Sequence, residues 1–237
     1  MIKNNINYKI DHNIKLKQVN IDLMFHLHEY DIDLVSNHIY LMGVDRGYDF
    51  GVGESEPGVD YVLSKRFIKN INMCMRVNPL KPIIIHLKSC GGIWEEGMAI
   101  YDAIKSCPSK VTILNYTHAR SMSSIILQAA DKRVMMPNSH FMIHDGEYST
   151  SGTVKQVRSA LDFDKRTEFT MIDIYAQQMK LKGKFEGQPL IKIKKWLRDQ
   201  MDKKEDVFMS AEETVKNGLA DEIFDYNWEN LSLYENI

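Results

Sequence analysis

Ile83-Ile-Ile-His-Leu-Lys-Ser-Cys-Gly-Gly-Ile93 sets the architecture of this chain. Its first five residues are almost wholly apolar, the composition of a strand buried on both faces of a parallel sheet. The run passes into Gly91-Gly92 and then a helical pattern from Trp94 to Ser106, stopped before Pro108. Downstream, Val111-Thr-Ile-Leu114 reads as the next strand, followed by a helix near Ser121 to Ala130. Arg133-Val-Met-Met136 and His140-Phe-Met-Ile-His144 read as two more strands, with Pro137-Asn-Ser139 turning between them. Upstream, Val62, Leu63, Phe67, Ile71 and Met75 recur at three- and four-residue spacing, which predicts an amphipathic helix within 59–78. His38-Ile-Tyr-Leu-Met42 is the first strand-like run. Alternation of strand and helix in this manner is the rhythm of right-handed βαβ units, an α/β fold.

Beyond residue 150 the pattern is mainly helical. Thr153 to Met179 reads as one long helix with Val157, Leu161, Phe169, Ile172 and Tyr175 as apolar contacts, and another helix follows near Ile191 to Met201. Ser210-Ala-Glu-Glu213 has the spacing of a capping box and Gly218 that of a C′ glycine, so 211–217 is a short capped helix. Ala220 to Phe224 reads as a closing strand. Residues 1–37 are polar and read as an irregular N-terminal arm, 38–224 as one domain and 225–237 as a tail. The segment 45–58 is rich in Gly and acids. Without a following Lys-Ser/Thr, and with Asp45, Asp49, Glu54 and Glu56 to repel phosphate, it reads as a solvated loop.

Composition excludes several classes. The 237 residues carry 30 Lys+Arg against 32 Asp+Glu, a net charge of −2, so no basic field is offered to nucleic acid. No run approaches the roughly 18 apolar residues of a membrane span, and the first residues lack the apolar core of a secretory signal. Three cysteines without a Cys-x-x-Cys pair fit neither a disulfide framework nor a zinc ribbon. His26 and His28 form a His-x-His pair with no third ligand nearby. A reduced, cytoplasmic, globular protein without metal or cofactor is therefore expected.

Two junctions hold chemistry. Gly91-Gly92, between a buried strand and a helix, exposes backbone amides of the kind that stabilise an oxyanion, although a tight turn alone would also require glycine. Ala119-Arg-Ser-Met-Ser-Ser124 opens the following helix, where Ser121 is either a nucleophile or an N-cap. Among eight histidines, His144 ends a buried strand on the edge where ligands bind in parallel sheets. His86, inside an apolar run, reads as a satisfied core histidine. Asp206, ahead of Val207-Phe-Met209 and the capped helix, leads the acids that would orient a base, with Asp202, Glu205 and Asp145 as competitors. Cys90 with His144 is the thiolate alternative, disfavoured because Cys90 precedes the glycine pair instead of opening a helix.

These pieces, in this order, resemble the proteolytic subunit of the Clp protease, the ClpP family of serine peptidases. Ser89-Cys-Gly-Gly92 with Gly97-Met-Ala-Ile-Tyr-Asp102 is similar to that family's Ser-Pro-Gly-Gly and Gly-Met-x-Ile-Tyr-Asp stretch. Ala119-Arg-Ser-Met122 is similar to its Ala-Ala-Ser-Met turn, and Met136-Pro-Asn-Ser139 with Met142-Ile-His144 to its Leu-Pro-Asn-Ser and Met-Ile-His. Asp206-Val-Phe-Met-Ser-Ala211 and Gly218-Leu-Ala-Asp221 continue the match. The resemblance implies a ClpP/crotonase-type spiral of βαβ units with a protruding helical handle beginning at Thr153. It implies Ser121 as nucleophile, His144 as general base, Asp206 as its orienter, and the amides of Gly92 and Met122 as oxyanion hole. It further implies hydrolysis of unfolded polypeptides or short peptides in heptameric rings, stacked as a tetradecamer and fed by an AAA+ unfoldase.

Departures from the family pattern are local. Cys90 replaces Pro, Arg120 a small residue, and Asp145-Gly146 replaces Gln-Pro. The glycine-rich handle strand is not recognisable, 45–58 is inserted, and the N-terminal arm does not look like the family's axial hairpin. Two alternatives follow: an ATPase-independent maturation peptidase of a viral particle, and a catalytically silent ring subunit.

Overall fold

The computed structural model describes residues 21–43 and 56–231. Helix α1 (Ile21–Tyr30) and the two-residue strand β1 (Ile32–Asp33) lead into β2 (His38–Met42). Helix α2 (Tyr61–Val77), β3 (Ile83–Ser89), α3 (Trp94–Lys105), β4 (Val111–Arg120), α4 (Met122–Leu127), β5 (Lys132–Met135) and β6 (His140–Ile143) follow. The chain closes with α5 (Val154–Leu181), α6 (Leu190–Lys204), β7 (Val207–Ser210), α7 (Ala211–Lys216) and β8 (Glu222–Ile223). The expected α/β class of parallel βαβ units is what forms.

Strands β2, β3, β4, β5 and β8 lie side by side and parallel, with β1 antiparallel on the β2 edge. The sheet then divides. The first half of β4 (Thr112–Asn115) pairs with β5, while its far end (His118–Arg120) pairs with β6. Strand β7 runs antiparallel to β6. The expected strand 111–114 is thus only half of β4, because Asn115-Tyr-Thr-His118 is too polar to be recognised as a buried strand. This longer strand carries the chain up to Ser121.

One core lies between the sheet and helices α2, α3, α4 and the second half of α5. It includes Phe67, Ile71, Ile85, Ile100, Ile126, Phe141 and Tyr175, each worth about 1.5–3 kcal/mol on burial. A smaller cluster (Ile84, Leu114, Val134, Phe224 and Leu231) covers the opposite sheet face. There a 3₁₀ turn, Trp228–Leu231, folds back, and Thr112 Oγ1 donates to the Leu231 carbonyl at 2.7 Å. Buried Arg133 ties β5 to the loop before β8. It donates to Asp221 Oδ1 at 2.8 Å, Gln128 Oε1 at 2.8 Å and the Gly218 carbonyl at 3.0 Å.

Local signals explain several helix ends. Asp60 caps α2 by accepting from the Leu63 amide, and both arms of the Ser210/Glu213 capping box form. Thr153 and Gln156 make a second capping box at the start of α5. Gly218 takes φ 78° after α7.

Two expectations change. Residues 21–37, read as irregular, hold α1 and β1, tied down by an Arg66–Asp31 ion pair at 2.5 Å and by buried Ile32 and Asn37. In the long helix, Ile172 and Tyr175 are buried, but Leu161 and Phe169 are exposed. Its first half finds no core to pack on and projects from the body. Most of the 45–58 loop, residues 1–20 of the arm and the end of the tail lie outside the described residues.

Candidate active site

Ser121 sits where β4 turns sharply into α4. Its backbone is held at φ 49° and ψ −127°, a conformation a residue with a Cβ adopts at a cost of about 1–3 kcal/mol. Its amide donates to the Met142 carbonyl at 3.0 Å, which pins the turn to β6. Although Ser121 occupies the N-cap position, its side chain makes no capping hydrogen bond. The hydroxyl instead lies 2.8 Å from His144 Nε2. Gly91 makes room for this turn: a Cβ there would come within 2.6 Å of Ser121 Cβ and 2.8 Å of the Arg120 carbonyl.

His144 follows the last residue of β6, and Asp206 precedes the first residue of β7. Because Ile143 pairs with Val207 in the antiparallel ladder, the two polar side chains emerge side by side. His144 Nδ1 lies 3.1 Å from Asp206 Oδ1. Each hydrogen bond fixes the next, since a carboxylate accepts from Nδ1–H and leaves Nε2 free to accept from the hydroxyl. Of the competing acids, Asp145 pairs with Arg198 at 2.7 Å, Glu205 ends α6 with φ 58°, and Asp202 is exposed on the last turn of α6.

Gly92 forms a parallel bridge with Val59, in which the Val59 amide donates to the Gly91 carbonyl and the Ile93 amide to the Val59 carbonyl. In such a bridge the amide of the central residue faces the other way. Gly92 and Met122, the first residue of α4, line one cleft with Ser121 and His144. The first amides of a helix have no partner within the helix. The cleft measures about 1040 Å³ and takes apolar side chains from Ile93, Trp94, Ile125, Phe163 and Met171.

The other candidates are satisfied in place. Ser123 is buried and donates to Ser89 Oγ at 2.7 Å, and Ser124 is hydrogen-bonded to Tyr175 at 2.6 Å. Burial, and then the charge of Glu56, raise the Cys90 thiol above its ordinary range, which disfavours a thiolate. His86 is buried on the outer sheet face, 3.0 Å from His38 Nδ1 and 3.1 Å from the Tyr116 hydroxyl. Sequence reading gave no role to Val59, His118 or His140, and it placed Glu56 in a solvated loop, whereas Glu56 pairs with Lys88 at 3.1 Å and His118 at 2.6 Å. Their contacts cross between strands and loops and leave no local pattern in the sequence.

A hydroxyl backed by an imidazole and a carboxylate is suited to acyl transfer. The model of the Clp protease family matches residues 56–227, which span every element from α2 to β8. The chain belongs to the Clp protease family. It is 32% identical over 155 residues to the ATP-dependent Clp protease proteolytic subunit of Deinococcus radiodurans, covering 65% of this chain and 70% of that one. It is also 32% identical over 148 residues to ATP-dependent Clp protease proteolytic subunit 3 of two Synechococcus strains, CC9902 and CC9605, covering 62% of this chain and 68% of each. Within the Clp protease family it is a divergent member, and a serine-type peptidase of the ClpP kind. Among the described residues no helix is long and apolar enough to cross a membrane.

Proposed function

We propose that this chain hydrolyses peptide bonds through an acyl-enzyme on Ser121, with His144 as general base, Asp206 as its orienter and the Gly92 and Met122 amides as oxyanion hole. The observation that carries this reading is the unbroken hydrogen-bond relay of 2.8 and 3.1 Å from Ser121 through His144 to Asp206. Ser121 Oγ attacks the scissile carbonyl as its proton passes to His144 Nε2. The carbonyl oxygen takes on negative charge, which the two amides receive. His144 then returns the proton to the leaving amine, and water, activated by the same imidazole, releases the acyl group. Asp206 keeps Nδ1 protonated and steadies the imidazolium between these transfers.

The same proposal includes assembly. The exposed apolar residues Val154, Leu161 and Phe169 lie seven and eight residues apart and share one side of the projecting half of α5. A second copy of the chain would cover them, in stacked heptameric rings that enclose the serine. The relatives carry "ATP-dependent" in their names, and an AAA+ unfoldase is the matching partner for delivering unfolded polypeptide. Hydrolysis of a short fluorogenic peptide by the wild type and by Ser121→Ala tests the chemistry. A loss of about 10⁴- to 10⁶-fold in kcat supports it. Comparable rates in the two proteins would refute it.

A further inference from the structure

Arg120 stands immediately before Ser121, and its side chain leaves the sheet on the face away from the core. The pairings His118↔His140, Arg120↔Met142 and Met142↔Phe208 bring residues of β4, β6 and β7 onto that face. Arg120 Nε and Nη2 lie 3.0 and 2.8 Å from His140 Nε2. The guanidinium carbon also sits 5.6 Å from the centre of the Phe208 ring. A guanidinium has donors only, so His140 Nε2 is the acceptor and the ring's proton is on Nδ1. One side chain therefore grips β6 and touches β7, the strands that adjoin His144 and Asp206. The other end of that side chain is anchored to the strained turn of Ser121.

We propose that Arg120 is a positioning residue of the peptidase reaction. By clasping His140 and Phe208 it holds the Ser121 turn in register with His144 and Asp206, and protonation of His140 opens the clasp. The proposal rests on Ser121 being the nucleophile, as argued above.

Among the described residues, nothing that faces the His140 ring compensates its protonation. From β4 it faces Arg120 and, at 5.6 Å between ring centres, His118. His118 Nε2 is itself 2.6 Å from Glu56 Oε2, and Lys88 holds the other oxygen of Glu56 at 3.1 Å. From β7 it faces Phe208 and Ser210, the latter engaged with Glu212 and Glu213 at the start of α7. A proton on Nε2 would remove the lone pair that Arg120 uses and set two cations face to face. Burial, with the Arg120 and His118 charges added, holds the His140 imidazole below its ordinary value, so the clasp is closed at neutral pH.

Three variants test this on a short fluorogenic peptide. Arg120→Met keeps the stem over Phe208 and removes the fork; kcat should fall about tenfold with KM unchanged. His140→Leu removes the acceptor and should lower kcat similarly. His140→Gln supplies an amide oxygen that accepts from Arg120 without titrating, so it should recover most of the rate lost in His140→Leu. Its kcat should also fall in acid with the slope of one proton, where the wild type falls more steeply.

Wild-type kcat in Arg120→Met would overturn the proposal, as would a raised KM alone, which would mark Arg120 as a substrate contact. Superimposable acid limbs for the wild type and His140→Gln would overturn it too, even if Arg120→Met failed to fold. A fluorophosphonate adduct on a residue other than Ser121 in active wild-type protein would bring down the nucleophile assignment first. A Ser121 adduct with unaltered Arg120→Met kinetics would bring down the clasp alone.

Discussion

Ile143 and Val207 face each other in the antiparallel pair of β6 and β7, and that one pairing places His144 beside Asp206 although 62 residues separate them in the chain. A slip of one residue would send the side chains of β7 to opposite faces. Val207 and Met209 would leave the core, where both are buried. The hydrophobic alternation of a four-residue strand thus guards the geometry of the relay. Asp206 is half exposed and contributes little to stability, so its replacement isolates its role in orientation. Asp206→Asn should lower kcat by about 10²- to 10⁴-fold with an unchanged thermal midpoint, because an amide permits the wrong imidazole tautomer. A near-normal rate would remove Asp206 from the relay.

Gly92→Ala addresses the proposed oxyanion loop. A Cβ at this position would lie 2.3 Å from the Val59 carbonyl oxygen and 2.6 Å from its nitrogen, at a backbone φ of 151°. The nearest atoms it would meet all belong to the Val59 backbone and leave no flexible group to yield, so the loop itself must shift. A displacement of the Gly92 amide by about 1 Å should cost roughly 10²-fold in kcat. Steady-state kinetics alongside a melting curve checks this, with kcat falling far more than a modest loss of stability explains.

Buried His86 makes the fold acid-sensitive. Burial, and then the neighbouring His38, push its imidazole from 6.5 down to about 4. The unfolded chain takes up this proton near pH 6.5, whereas the folded chain refuses it until about pH 4. Stability is therefore independent of this group above pH 6.5 and falls as the pH drops from 6.5 towards 4, by roughly 3 kcal/mol in all. Denaturant melts across that window should show a shallower decline for His86→Phe than for the wild type. Parallel declines would contradict the assignment.

Much of this was legible in the sequence because it is written in local signals. The apolar run 83–87, the stop before Pro108 and the Ser210/Glu213 capping box each have a nearby physical cause, and each element appears where expected. The glycine pair and Ser121 were recognisable because strand-to-helix turns need such residues. What stayed hidden depends on partners distant in sequence. The second half of β4 is polar, and its pairing with β6 and with Ser89 of β3 makes it a strand; β7 is too short to declare itself. The exposed face of α5 carries the same apolar spacing as a buried one, and spacing does not say whether the partner is this chain's core or another copy.

That exposed face yields an expectation about assembly. Leu161→Glu with Phe169→Glu alters two surface side chains and leaves buried Ile172 and Tyr175 untouched. The monomer should fold as before, while native mass spectrometry should record a smaller assembly than for the wild type, with lower peptidase activity. An unchanged mass would mean that the projecting half of α5 is not a contact between copies.

The central claim is that Ser121 is the nucleophile of a working relay, and labelling with a fluorophosphonate followed by tandem mass spectrometry tests it most directly. Wild-type protein should carry one adduct per chain, on Ser121, formed far more slowly in His144→Ala and not at all in Ser121→Ala. An unlabelled wild type, or an adduct on Ser123 or another hydroxyl, would contradict the account.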